Sequence, residues 1–170
     1  MRTFLVNVVA FIIAVILQVT IAPYIAIGGV SPNFLMITVI VMALVEGPNT
    51  GTVLGFVAGL LFDLLGAGPV GPMALVLSIA GYIAGLVHEN LFAEGWLLPV
   101  GIIALATFTS EILYMIVILF LGTQTSLASA FMGIVLPSTL YNAVCATIIC
   151  PILTRVLSDN TNSVIFGTLW

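Results

Sequence analysis

Charge is what this 170-residue sequence has least of. Two basic and six acidic residues make up 5% of the chain, while 62% of it is hydrophobic. A soluble domain carries about 25% charged residues, so a water-facing surface cannot be built from this composition. A mean hydropathy of +1.39 calls for lipid as the solvent. Lysine is absent, and Arg2 and Arg155 are the basic residues. No basic patch exists to meet phosphate backbones, which excludes nucleic acid as a partner. His88 is the single histidine, so a multi-histidine metal site is excluded. Cys145 and Cys150 lie five residues apart in an apolar run. On a helix they point to different faces, and they read as small apolar residues rather than a disulfide or a metal pair. Also missing are a G-x-S-x-G elbow, a phosphate loop and a His-Glu metal motif. No catalytic constellation and no cofactor site is expected.

What is present is long apolar runs. Between Arg2 and Glu46 lie 43 uncharged residues, and between Glu111 and Arg155 another 43. A spanning helix needs about 20. Gly, Pro and polar residues divide the chain into six spans, at 4–26, 32–45, 50–65, 70–87, 96–121 and 127–157. The first run is long for a signal peptide and reads as an uncleaved span that frays near Pro23. Ser31-Pro32 opens the second span as N-cap and first helical residue. Pro137 is expected to bend the sixth, and the tail from Ser158 to lie along the interface. The connections are turns at Gly28-Gly29, Glu46-Gly47-Pro48-Asn49, Gly66 to Pro69 and Gly122 to Ser126, with a more polar one from His88 to Gly95. They are too short to hide a soluble domain. The expected fold is therefore all-α: one integral membrane domain over 1–170, a six-helix bundle with antiparallel neighbours. Both termini then lie on one side, and the two arginines place that side in the cytoplasm.

Gly51, Gly55 and Gly59 recur at i+4 in the third span and leave one helical face bare of side chains. Membrane helices use such faces to approach each other closely. Gly81 and Gly85 repeat the pattern in the fourth span. These five glycines are candidates for helix packing or partner docking. Asp63 continues the series. A carboxylate at membrane depth costs at least ~2.5 kcal/mol and needs partners. It either binds a neighbouring helix, a subunit or an ion, or is satisfied by an intramolecular hydrogen bond. Glu111 is the deepest candidate charge, midway along the fifth span. Tyr114 shares its face, and Ser138, Tyr141 and Asn142 stand at comparable depth in the sixth span. These five residues are expected to form a buried polar cluster. The bland alternative is a protonated Glu111 with a single hydrogen bond.

Ser31-Pro32-Asn33-Phe34-Leu35, the run to Glu46-Gly47-Pro48, the glycine series ending Gly59-Leu60-Leu61-Phe62-Asp63, and Gly68-Pro69-Val70-Gly71 together resemble the MreD family of bacterial rod-shape proteins. The match is most specific over residues 31–87, and Gly55, Gly59 and Asp63 fall on its motif. Asn33 stands where the family often has Asp. The resemblance implies a non-catalytic protein of the bacterial cytoplasmic membrane, working in lateral wall elongation. Implied partners are an MreC-like protein, a RodA-like glycosyltransferase, a class B penicillin-binding protein and an MreB-like cytoskeleton. It also implies a fold similar to the substrate-binding subunits of energy-coupling-factor vitamin transporters. Two functions follow as expectations. The first is a membrane scaffold that maintains rod shape by organising partners. The second is a small-molecule-binding transporter subunit whose pocket would use Asp63, Glu111 and Asn142.

Overall fold

The computed structural model describes residues 2–66, 69–87, 97–120 and 131–161. The expected turns near Gly68 and from Gly122 to Ser126, the polar connection from His88 to Gly95, and the tail beyond 161 lie outside the described residues. Among the described residues the fold is all-α, with six α-helices: α1 (Arg2–Thr20), α2 (Phe34–Glu46), α3 (Pro48–Leu65), α4 (Pro72–Leu86), α5 (Leu97–Phe120) and α6 (Leu136–Thr161). A π-helical turn, Phe131–Val135, leads directly into α6.

Local chemistry explains the boundaries. α1 ends at Thr20, not at residue 26, because Pro23 has no N–H and disfavours helical geometry in the residue before it. The chain continues in turns to Ile27 and Val30, whose backbones exchange hydrogen bonds of 2.9 and 3.0 Å. Gly28 and Gly29 between them sit at φ +61° and +85°, the mirror-image turn geometry that side chains resist. α2 is capped by Asn33 and not by Ser31. The Asn33 side chain accepts from Met36 N at 2.9 Å, the N-cap geometry for which Asn is as well suited as Ser. α3 and α4 both open on Pro at the first position, where the missing N–H costs nothing. The irregularity of the last span sits ahead of Pro137, in the π-turn. Pro151 lies inside α6 as well.

α2 occupies the centre and touches α1, α3, α4, α5 and α6. Every residue from Phe34 to Val45 is buried, as expected of a helix that is apolar all round. The outer faces are equally apolar. Leu140, Val144, Ile148 and Ile152 form an exposed stripe along α6, with Leu140 73% exposed. Contiguous apolar surface of this extent does not persist in water. Three segments are long and apolar enough to cross a membrane by length and composition: Pro48–Leu65, Val100–Val117 and Phe131–Leu157. Leu5–Thr20, Phe34–Glu46 and Pro72–Leu86 are apolar but shorter.

α3 and α4 make the closest helix contact. A Cβ placed on Gly51 would stand 2.3 Å from Gly81 O, one on Gly55 2.2 Å from Leu77 O, and one on Gly59 2.3 Å from Met73 O. Reciprocally, a Cβ on Gly81 would meet Gly51 O at 2.2 Å, and one on Gly85 would meet Pro48 Cα at 2.4 Å. The obstacles are backbone atoms, so no side-chain rotation relieves them. Gly55→Ala should force the two helices apart and destabilise the protein by about 1–3 kcal/mol, the usual range for overpacking. Gly101→Ala in α5, where a Cβ meets nothing within 4 Å, should be neutral or slightly stabilising. Reversible unfolding of the two variants in detergent micelles checks the contrast.

Candidate functional site

A helix leaves its first four N–H groups without intrahelical partners. In water they are hydrated; in hydrocarbon each must find a protein acceptor. α2 has 13 residues, about 20 Å of helix, against a hydrocarbon core of about 30 Å. Its start is enclosed by protein, with Asn33, Phe34, Leu35 and Met36 all buried, and polar side chains converge on it. Phe34 N donates to Gln18 Oε1 at 2.7 Å, and Gln18 Nε2 donates to Pro32 O at 3.3 Å. Asn33 N donates to Asn142 Oδ1 at 2.7 Å. Together with the Asn33 cap, these bonds tie α1 and α6 to the head of α2.

Asp63 performs the same task for α4. Its carboxylate accepts from Gly71 N at 2.8 Å, from Met73 N at 3.1 Å and from Ala74 N at 3.3 Å. Pro72 has no N–H to offer, and Leu75 N donates to Gly71 O at 3.0 Å. All four opening positions of α4 are thereby accounted for. Asp63 as a whole is only 5% exposed. Its negative charge also lies at the positive end of the α4 dipole. The carboxylate is thus satisfied within the chain, by the main chain of the neighbouring helix α4.

The expected five-residue cluster forms in part, around Glu111. Ser138 Oγ donates to Glu111 Oε1 at 2.5 Å, so that pair forms. Tyr141 instead donates its hydroxyl to Ile25 O at 2.6 Å, and Asn142 turns to the head of α2. Tyr114 packs half-buried against the apolar core, with Asp63 and Glu111 near enough to act on its hydroxyl. The reason is competition: free backbone groups at the α1–α2 connection claim the longer side chains that depth alone had grouped with Glu111. Three buried polar atoms, Asn7 Oδ1, Ser110 Oγ and Asn142 Nδ2, have no partner among the described residues.

At the opposite end of the bundle Asn7 Nδ2 donates to Glu46 Oε1, joining α1 to the last residue of α2. Asn7, Gln18, Asn33 and Glu46 were not among the candidates drawn from the sequence. Asn7 and Gln18 interrupt the first apolar run, and a polar amide inside a span is itself a signal that a buried partner exists.

The glycine groove is not open to a partner, because α4 of the same chain fills it. Docking through Gly51, Gly55, Gly59, Gly81 or Gly85 is thus sterically closed. Among the described residues no three His, Cys, Asp or Glu side chains gather as metal ligands. Grooves of about 530 Å³ between α1 and α6 and about 210 Å³ between α4 and α5 are lined almost wholly by apolar side chains. Asp63, Glu111 and Asn142 line neither of them.

Removing the α4 cap with Asp63→Ala should cost about 1–3 kcal/mol, the penalty for leaving buried donors unpaired. Asp63→Asn keeps one acceptor oxygen and should lose less. Chemical unfolding of both variants in micelles measures the difference, and equal stability of Asp63→Ala and the parent would contradict the cap.

A family model described as rod shape-determining protein MreD matches residues 1–159. No curated protein and no solved structure matches the chain.

Proposed function

The chain belongs to the MreD family of rod shape-determining proteins, and from that premise we propose that it is a non-catalytic scaffold of the bacterial wall-elongation complex. In this reading the chain is a single membrane domain of six spans in the cytoplasmic membrane, with both termini in the cytoplasm. It holds an MreC-like protein, a RodA-like glycosyltransferase and a class B penicillin-binding protein in register with an MreB-like cytoskeleton.

One observation carries the reading: the intramembrane acids are committed to structure. Asp63 holds the start of α4 and Glu111 holds Ser138 on α6. A general acid or base must be within hydrogen-bond reach of a substrate proton, and a carboxylate anchored to backbone N–H groups is poorly placed for that. What the molecule offers to its surroundings is apolar helix surface, on α1, α4 and α6 above all. With the glycine seam closed by α4, docking belongs to these outer faces, where van der Waals packing drives helix association.

Two measurements test the proposal. Affinity purification from native membranes, after mild cross-linking, should recover wall-elongation proteins; recovery of none would sink the scaffold reading. Cells relying on a Glu111→Gln variant should keep their rod shape, because Gln still accepts from Ser138. Rounded cells with normal amounts of folded Glu111→Gln protein would point instead to proton chemistry at that position.

A further inference from the structure

A groove of about 490 Å³ lies between α1 and α3, at the end of the bundle where α1 begins. It differs from the other two in having a polar mouth. Asn7, Glu46, Asn49 and Thr50 line one end, and Val8, Phe11, Val53, Leu54 and Val57 line the rest. Asn49 and Val57 are eight residues apart on α3, about 12 Å of rise. That length keeps the apolar part within one leaflet of a hydrocarbon core about 30 Å thick. A polar mouth over an apolar shaft, opening sideways between two membrane helices, has the pattern of an amphiphile.

The mouth selects the headgroup. Glu46 supplies the one charge in the lining. Its Oε1 accepts from Asn7, and Oε2 takes no hydrogen bond among the described residues, so the carboxylate is left seeking a cationic donor. Beside it, Asn49 and Thr50 stand in the first turn of α3. Their side chains make no hydrogen bond among the described residues, and their N–H groups precede the first intrahelical acceptor, Gly47 O, which takes Gly51 N. A helix start that exposes donors favours an anion. The mouth thus sets an acceptor for an ammonium next to donors for a phosphate.

We propose that this groove binds a phospholipid with a primary-amine headgroup, its ammonium on Glu46, its phosphate at Asn49 and Thr50, and an acyl chain along Phe11, Val53 and Val57. A lysine side chain from a partner helix would satisfy the carboxylate but leave the donors of α3 unmet. A quaternary ammonium has no N–H to donate, and a glycerol headgroup has no cation. Such a lipid would seal the seam between α1 and α3, which few direct contacts close.

The full chain, purified in mild detergent and delipidated, is offered equal amounts of phosphatidylethanolamine, phosphatidylcholine and phosphatidylglycerol with matched acyl chains, and bound lipid is counted by native mass spectrometry. Phosphatidylethanolamine should be retained about fivefold or more over the others, the scale that one charge-assisted hydrogen bond supports. Glu46→Gln keeps an acceptor for Asn7, so its melting temperature should hold while the preference collapses. Val53→Trp, which fills the shaft, should lower occupancy by all three lipids. Equal retention of the three lipids by the parent chain would overturn the proposal, as would a preference that survives Glu46→Gln. A lysine-flanked apolar peptide that binds in a Glu46-dependent way where phosphatidylethanolamine does not would overturn it in favour of a protein partner. The lipid preference is read without any partner protein, so its failure leaves the scaffold reading untouched.

Discussion

The architecture depends on pairing the N–H groups at the starts of two short apolar helices, α2 and α4. α2 and α4, with 13 and 15 residues, are too short to carry their ends into water on both sides. Unpaired donors in hydrocarbon cost several kcal/mol each, so the fold is restricted to arrangements that bring acceptors to those two places. Asp63 reaches back from the end of α3 to the start of α4. Gln18, Asn33 and Asn142 meet at the start of α2. The few polar side chains of an apolar chain are spent where the backbone requires them.

Those caps also order the helices in space. Asn142 sits on α6 and Gln18 on α1, and both bind the same turn of α2. Helices far apart in sequence are thereby fixed around one central rod, in a solvent that provides no hydrophobic drive between them. The α3–α4 seam supplies the other fixed relation. There the absence of side chains at Gly51, Gly55, Gly59 and Gly81 lets backbones meet, and Asp63 locks the pair at its far end. A scaffold needs this kind of rigidity, since partners can be held in register only by a surface that does not shift.

Much of this was legible in the sequence. Scarce charge implied a lipid environment, and glycines at i+4 implied a close seam. The resemblance over residues 31–87 pointed to the family whose model covers 1–159. The glycines left two readings open, helix packing and partner docking, and the packing of α3 on α4 is the one they make. A bare helical face looks the same whether a partner or the next helix fills it, and only the return of α4 decides. Asp63 could be placed at membrane depth from its spacing, but its ligands are main-chain groups beyond a turn, which no side-chain pattern reveals. Glu111 and Ser138 were matched by depth, whereas Tyr141 and Asn142 were not bound by it. They share a face of α6 with Ser138 but lie about 5–6 Å further along it, where Ile25 O and Asn33 N meet them. Asn7 and Gln18 were hidden by the apolar average of their run, although in lipid a single amide outweighs that average.

The central claim is that main-chain groups at buried helix starts are held by side chains from other helices. Residue-resolved amide hydrogen exchange of the full, delipidated chain in phosphatidylcholine nanodiscs tests it most directly. Phe34, Met36, Met73 and Ala74 should exchange as slowly as amides in the middle of α2, although each lies in the first turn of its helix. Exchange at these four positions as fast as at Asn49 and Thr50, whose first turn has no such caps, would contradict the account.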